Sequence, residues 1–178
     1  MALEALAKAL PSHADDIGKN LLALEREGAL TDQQLWGTFL ASACAVATPA
    51  VLQPIEQAAR EAGLTEQALS AARGAAAIMA QNNIYFRAVT LLQNPEYRRL
   101  RSGLRMGITF NPGVAKDDFD LWCVAVSAIH GCPDCLDAHE SALKSRGVAA
   151  AHVQTALRIA AVVHAASRVM MAEAAASG

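Results

Sequence analysis

The chain has 178 residues, 53% hydrophobic and 18% charged, with 17 Asp and Glu against 15 Lys and Arg for a formal net charge of -2. The apolar share excludes a disordered chain, which needs low hydrophobicity and high net charge, and the charge balance excludes a strongly basic nucleic-acid binder, which needs surplus cations against phosphate. Only 4% of residues are aromatic and much of the apolar excess is alanine, the best helix former and one that lets helices approach closely. The composition therefore predicts an all-α helical bundle, a single domain over residues 1–178, with apolar surface left for an oligomer interface.

In chain order, the pattern predicts helices near 3–9, 13–27, 32–47, 50–62, 65–80, 82–92, 95–101, 117–130, 133–146 and 149–174. Ser12 with Asp15 and Thr31 with Gln34 both show a cap residue followed three positions later by a side chain that can bond back. Behind them Ile17, Leu21 and Leu24, then Leu35, Phe39 and Leu40, fall at helical spacing. Gly28, Gly63 and Gly147 read as helix stops. The segment from Ser102 to Asp118, with three glycines and a proline, reads as a connecting loop.

No apolar run reaches the roughly 20 residues that span a bilayer: Pro49 interrupts the stretch from Phe39 to Leu52, and Arg158, His164 and Arg168 interrupt the C-terminal one. Glu4 and Lys8 stand where a signal peptide needs an unbroken apolar region. These features predict a cytoplasmic protein that neither enters a membrane nor binds nucleic acid. In that compartment four cysteines point to catalysis, metal binding or burial rather than structural disulfides.

Two halves, near 30–92 and 117–174, resemble each other across the loop near 102–118. Leu35-Trp36 and Leu121-Trp122 open small-residue helices at an offset of 86, and each is followed by a second helix, a glycine turn and an alanine-rich third helix. The shared order predicts an internal helical repeat related by a pseudo-twofold axis. Only the second half carries chemistry: the offset between the tryptophans sets Val46 and Pro49 opposite Cys132 and Cys135.

The segment DLWCVAVSAIHGCPDCLDAHE, from Asp120 to Glu140, holds every residue type that thiol redox work needs. Gly131 ends one helix, Cys132 sits at the turn, and Pro133 suits the first position of the next helix, where its missing N–H costs nothing. The Cys132-x-x-Cys135 pair is thereby set at a helix N-terminus, where free N–H groups and the helix dipole favour a thiolate. His139, one turn beyond Cys135, shares its face and can move a proton. Once one thiol is oxidised to a sulfenic acid, its neighbour can capture it as a disulfide, a cycle that needs an outside reductant.

Other readings stay open on the same residues. His130, Cys132, Cys135 and His139 could supply the two nitrogens and two sulfurs of a structural zinc site, although such sites usually join two separated ligand pairs. The cysteines could also simply be buried beside a histidine. A thioredoxin-like fold is disfavoured, because no βαβ pattern surrounds the motif. Cys123 reads as a small buried thiol beside Trp122, or as a group facing His139 if the two helices pack antiparallel. Cys44 reads as core. His130 either tunes the motif or interacts with the dipole at its helix end. Arg98, Arg99, Arg101 and Arg105 read as a solvated helix end or a landing site for an acidic partner domain. His13, His152 and His164 have no partners that the sequence identifies.

The run from Asp120 to Glu140, with LRMGITFNPG before it, closely resembles the alkylhydroperoxidase AhpD family, within the carboxymuconolactone decarboxylase-like superfamily. The family pattern of an acidic residue, a long gap, Cys-x-x-Cys and His falls on Asp120, Cys132, Cys135 and His139. The resemblance implies that Cys135 is the peroxidatic cysteine that forms the sulfenic acid. It implies that Cys132 is the proton donor and then the resolving partner of a redox disulfide, and that His139 and Asp120 form a proton relay. It further implies an antioxidant enzyme without bound cofactor or metal that reduces organic hydroperoxides. Dihydrolipoamide, or the lipoyl domain of a 2-oxoacid dehydrogenase component, would be the reductant, the peroxiredoxin AhpC a partner, and a homotrimer or a multiple of trimers the assembly. A dithiol adaptor with little peroxidase activity is the rival, and a decarboxylase-type relative is disfavoured by the redox pair.

Two departures from the family pattern carry expectations. Asp120 stands where the family usually has Glu, one methylene longer, so a water bridge to His139 is expected. Asp134 stands where the family often has His; as a helix N-terminal acid it is expected to point to solvent, and a carboxylate beside Cys135 works against the thiolate.

Overall fold

The cap read at Thr31 and Gln34 starts a helix as expected. In the computed structural model, which describes residues 2–177, Gln34 N donates to Thr31 Oγ1 and Thr31 N donates to Gln34 Oε1, both at 3.3 Å. Such a cap is worth about 1 kcal/mol. The cap read at Ser12 does not form: Pro11 leads Ser12–Ala14 into a single 3₁₀ turn, and the next helix begins at Asp15 with Ala14 as an N-cap that bonds nothing through its side chain.

The helices run α1 (Ala2–Ala9), α2 (Asp15–Glu25), α3 (Asp32–Val46), α4 (Pro49–Glu61), α5 (Glu66–Leu91), α6 (Gly107–Phe110), α7 (Lys116–His130), α8 (Pro133–Ser145) and α9 (Ala150–Ala176), with no strand among the described residues. The chain is therefore all-α. Three element boundaries differ from expectation. The helices expected at 65–80 and 82–92 are one, α5, because Asn82 and Asn83 are buried inside it. Residues 95–101 form turns rather than a helix; Pro95 breaks the pattern and Glu96 N donates to Asn94 Oδ1 at 3.0 Å. The loop near 102–118 contains the one-turn α6, and α7 starts inside it at Lys116.

Helices α3, α5, α7 and α9 form the centre. Both α3 and α7 touch α5 and α9 as well as each other, α4 lies on α3 and α9, and α8 lies on α7 and α5. Phe39 and Leu40 of α3, Leu69 of α5, and Phe119 and Trp122 of α7 are fully buried where they meet. Each such side chain contributes roughly 1.5–3 kcal/mol of burial. Gln33 and Gln34 of α3 donate to the two carboxylate oxygens of Asp118 of α7, at 2.6 and 2.9 Å, and Trp122 Nε1 donates to Gln34 O at 3.3 Å. This fixes the register of the α3–α7 pair.

The segments α3–α4–α5 and α7–α8–α9 have 15, 13 and 26 residues and 15, 13 and 27 residues respectively. Pro49 and Pro133 each begin the second helix of their segment, and Thr48 and Cys132 are the N-caps. Counted from these caps, the residues opposite Cys132 and Cys135 are Thr48 and Val51, not Val46 and Pro49. Thr48 makes a buried hydroxyl contact with Ser167, at 2.5 Å.

By length and composition α9 is, among the described residues, the one helix apolar enough to cross a membrane, which the interrupted C-terminal run did not lead us to expect. Its inner face, including Ala156, Ile159, Val163 and Ala166, is buried in the hydrophobic core.

Candidate active site

Helix α7 ends at Gly131, whose φ of +65° is the left-handed value that a residue without Cβ adopts at no steric cost. The turn brings Cys132 N to Ser127 O at 3.1 Å and starts α8 at Pro133 with Cys132 as N-cap. Cys135 N donates to Cys132 Sγ at 3.4 Å. The two sulfurs are joined as a disulfide, with Cα atoms 5.4 Å apart. Cys132 is fully buried, whereas Cys135 retains 6% exposure and lines a cavity of about 170 Å³ with Met79, Asn82, Phe86, Asp134, Ala138 and His139.

Asp120 and His139 meet directly. His139 Nδ1 lies 2.9 Å from Asp120 Oδ1, so the expected water bridge is replaced by a bond; α7 and α8 pack closely enough for the shorter side chain to reach. The Asp120 carboxylate is fully buried. Burial alone would raise its pKa, but hydrogen bonds from His139, Lys116 and Arg146 together outweigh burial and hold it at about 2. Lys116 Nζ donates to Oδ1 and Arg146 Nη2 to Oδ2, the latter at 2.6 Å. An ionised carboxylate only accepts, so Nδ1 of His139 carries the hydrogen and Nε2 is the nitrogen left for proton exchange.

Beneath the turn lies a second polar set. Ser127 Oγ donates to Asn83 Oδ1 at 3.1 Å, and Asn83 Nδ2 is 3.1 Å from His130 Nδ1. Burial pushes the His130 imidazole down from its ordinary value, with the Arg87 guanidinium acting in the same direction. Hydrogen bonds with the Ala45 and Met79 backbone act the other way without overcoming burial, and Arg87 donates to the His130 carbonyl. The His130 side chain thus ties α7 to α5, and the carbonyl at the α7 terminus is satisfied by Arg87.

Asp134 is exposed in the first turn of α8, as expected of a helix N-terminal acid. It accepts a hydrogen bond from Thr90 Oγ1 at the end of α5 and stands between the Cys135 cavity and a neighbouring one of about 360 Å³ walled by Tyr85, Phe86, Val89, Tyr97 and Leu100. Cys123 is a free, fully buried thiol, pushed up by burial and by the Asp120 charge, and Cys44 is half-buried on α3. Arg98, Arg99, Arg101 and Arg105 are exposed on the turns after α5, where Arg98 donates to Thr90 O at 3.1 Å. His13 faces Glu173 at 3.7 Å, and His164 lines an apolar recess between α7 and α9.

The four zinc-ligand candidates do not converge: His139 is bonded to Asp120 and His130 to Asn83. Among the described residues no three His, Cys, Asp or Glu side chains are placed to hold a metal. The sequence reading brought Asp120, Cys132, Cys135 and His139 together, as the structure does. It missed Lys116, Arg146, Asn83 and Thr90. Signals existed for two of them: Lys116 stands one turn before Asp120, and positions 132, 135, 139 and 146 repeat at helical spacing along α8 and its two caps.

Residues 95–177, which include the whole Asp120–His139 cluster, match the Carboxymuconolactone decarboxylase family. The chain is 50% identical over 173 residues to an alkyl hydroperoxide reductase AhpD of Maricaulis maris (strain MCS10), covering 97% of this chain and 99% of the relative. It is 50% identical over 175 residues to that of Caulobacter vibrioides (strain NA1000 / CB15N), covering 98% and 96%. With that of Streptomyces avermitilis it shares 48% over 174 residues, 98% of each chain. At this similarity over nearly its whole length, the chain belongs to the AhpD family of alkyl hydroperoxide reductases.

Proposed function

We propose that the chain reduces organic hydroperoxides with its Cys132/Cys135 dithiol, without a bound cofactor or metal. One observation carries the reading: the less buried sulfur of a helix-capping cysteine pair shares an apolar cavity with a histidine whose other nitrogen is held by an ionised carboxylate. The names of the relatives support the same reaction.

In the reduced enzyme His139 takes the Cys135 proton. The thiolate attacks the terminal oxygen of the hydroperoxide, the O–O bond breaks, and the alkoxide leaves as the alcohol with the proton of Cys132. Cys132 thiolate then displaces hydroxide from the Cys135 sulfenic acid, forming the disulfide, and the His139 imidazolium returns its proton to give water. A dihydrolipoyl dithiol, free or on the lipoyl domain of a 2-oxoacid dehydrogenase component, is oxidised as it regenerates the enzyme by two thiol–disulfide exchanges. The same exchange with oxidised AhpC would pass the electrons to that peroxiredoxin.

The test is hydroperoxide consumption with dihydrolipoamide in the parent, Cys135→Ser and Cys132→Ser. Loss of turnover in both variants is expected; parental activity in either defeats the dithiol mechanism. The second reading, a dithiol adaptor, is favoured by the Asp134 carboxylate beside Cys135. It prevails where the parent ignores hydroperoxide but reduces oxidised peroxiredoxin. One zinc per chain, lost on mutation of either cysteine, would restore the metal reading.

Within the same proposal, the halves are copies of one helical unit of which the second is active, and the protein is cytoplasmic, where a dithiol is kept reduced. We also propose a homotrimer or a multiple of trimers, supported by the apolar recess of about 380 Å³ lined by Ile129, Leu157 and Ala161.

A further inference from the structure

The Asp120 carboxylate is more heavily bound than a two-residue relay requires. His139 and Lys116 share Oδ1, and Arg146 takes Oδ2 at 2.6 Å. Arg146 also bonds Asp117 through Nε. It is the C-cap residue of α8, the helix whose N-cap is Cys132 and which carries both Cys135 and His139. Its charged fork thus reaches back across the helix pair to the N-terminal turns of α7.

We infer that Arg146 is a positioning residue of the hydroperoxide reaction: by occupying Asp120 Oδ2 it locks the carboxylate plane so that Oδ1 receives His139 Nδ1–H and Nε2 stays available for proton exchange. The inference rests on the dithiol reading for its rate effect, but its structural effect, the tautomer of His139, does not.

A carboxylate held at both oxygens cannot rotate, and the imidazole that donates to it is fixed in ring orientation and in tautomer. With Arg146 gone, Oδ2 is a buried anionic oxygen without a donor, a costly arrangement that a turn of the carboxylate relieves. Oδ1, which His139 and Lys116 already share, then turns away from His139 Nδ1. Lys116 cannot replace the lock, because it is a point charge on Oδ1 and not a planar fork. From α5 the cavity presents Met79, Asn82 and Phe86 to His139, none of them charged, and Asp134 on α8 is engaged by Thr90. Arg87 of α5 is occupied at the His130 carbonyl.

The experiment compares the parent, Arg146→Gln, Arg146→Lys and Asp117→Asn as full-length proteins. In the oxidised form, where no thiol of the pair titrates, the ¹⁵N shifts of the His139 ring report its tautomer, with the signal assigned through His139→Gln. The expected result is a single Nδ1–H tautomer in the parent and in Asp117→Asn, a mixture in Arg146→Gln, and partial recovery in Arg146→Lys. With the reduced enzymes, kcat/KM for an organic hydroperoxide should fall about tenfold in Arg146→Gln, mostly in kcat, and recover in part in Arg146→Lys. A parental tautomer in Arg146→Gln overturns the inference, whether the rate is unchanged or falls only in step with a lower Tm. If instead the parent and Cys135→Ser consume hydroperoxide equally, the dithiol reading fails while the tautomer result still decides the role of Arg146.

Discussion

Gly37 of α3 lies directly against the indole of Trp122 of α7: a Cβ on Gly37 would come within 2.2 Å of Trp122 Cε2 and Cζ2. Both residues are buried where α3 meets α7. The indole is also held from outside, because its Nε1 donates to Gln34 O.

Gly37→Ala should therefore be among the most destabilising single-methyl additions in this chain. The ring cannot retreat without losing its hydrogen bond and its own packing, so a cost of about 2–3 kcal/mol is expected from overpacking. Urea unfolding followed by tryptophan fluorescence measures it; a change within experimental error would mean that α3 and α7 can separate freely.

The buried Asp120 makes stability depend on acid. Its folded value of about 2 lies below the ordinary 3.8. The stabilisation is thus fully present above pH 4 and is lost as pH falls through the folded value, because the unfolded chain takes up the proton first. The difference corresponds to about 2 kcal/mol. Urea midpoints between pH 5 and pH 2 should show this loss in the parent and a shallower slope in Asp120→Asn.

Asp134 sets a negative charge one residue before Cys135. Removing it in Asp134→Asn should accelerate the first reaction of the reduced enzyme with hydroperoxide at neutral pH by about threefold to tenfold, since a like charge no longer opposes the thiolate. Stopped-flow measurement of the first turnover reads the effect directly. Thr90→Val, which removes the hydroxyl that engages the carboxylate, should leave the rate at or below the parental one.

The two remaining thiols should separate by accessibility. Alkylation of the native oxidised protein at neutral pH is expected to label Cys44 slowly and to leave Cys123 untouched, because Cys123 has no exposure and burial disfavours its thiolate. Mass spectrometry before and after unfolding in guanidinium distinguishes them; rapid native labelling of Cys123 would contradict the packing of α7.

Much of this organisation is legible in the sequence where a local signal meets no competing demand. Thr31 with Gln34, the glycine stops, and Cys132-Pro133-x-Cys135 each prescribe their own geometry within a few residues. The sequence reading failed where distant contacts decide. A break inside α5 was expected, but Asn82 and Asn83 are poor helix formers that the fold buries, and Asn83 finds Ser127 and His130 as partners. Ser12 lost its capping role to the conformation set by Pro11. The candidate site followed the same division. His139 was visible one turn from Cys135 and Lys116 stands one turn before Asp120 on the same helix, whereas the bond from Arg146 to Asp120 forms only because α7 and α8 lie side by side.

Helix α8 is pinned to α7 at both ends, through the Gly131–Cys132 turn and through Arg146 on Asp117 and Asp120. The Cα separation of 5.4 Å between Cys132 and Cys135 is close to that of residues one turn apart in any helix, so closing or opening the bridge asks little of the main chain. The helix acts as a splint. Oxidised and reduced protein should present nearly the same outline to their surroundings, and a partner that tells them apart must do so at the sulfur atoms themselves.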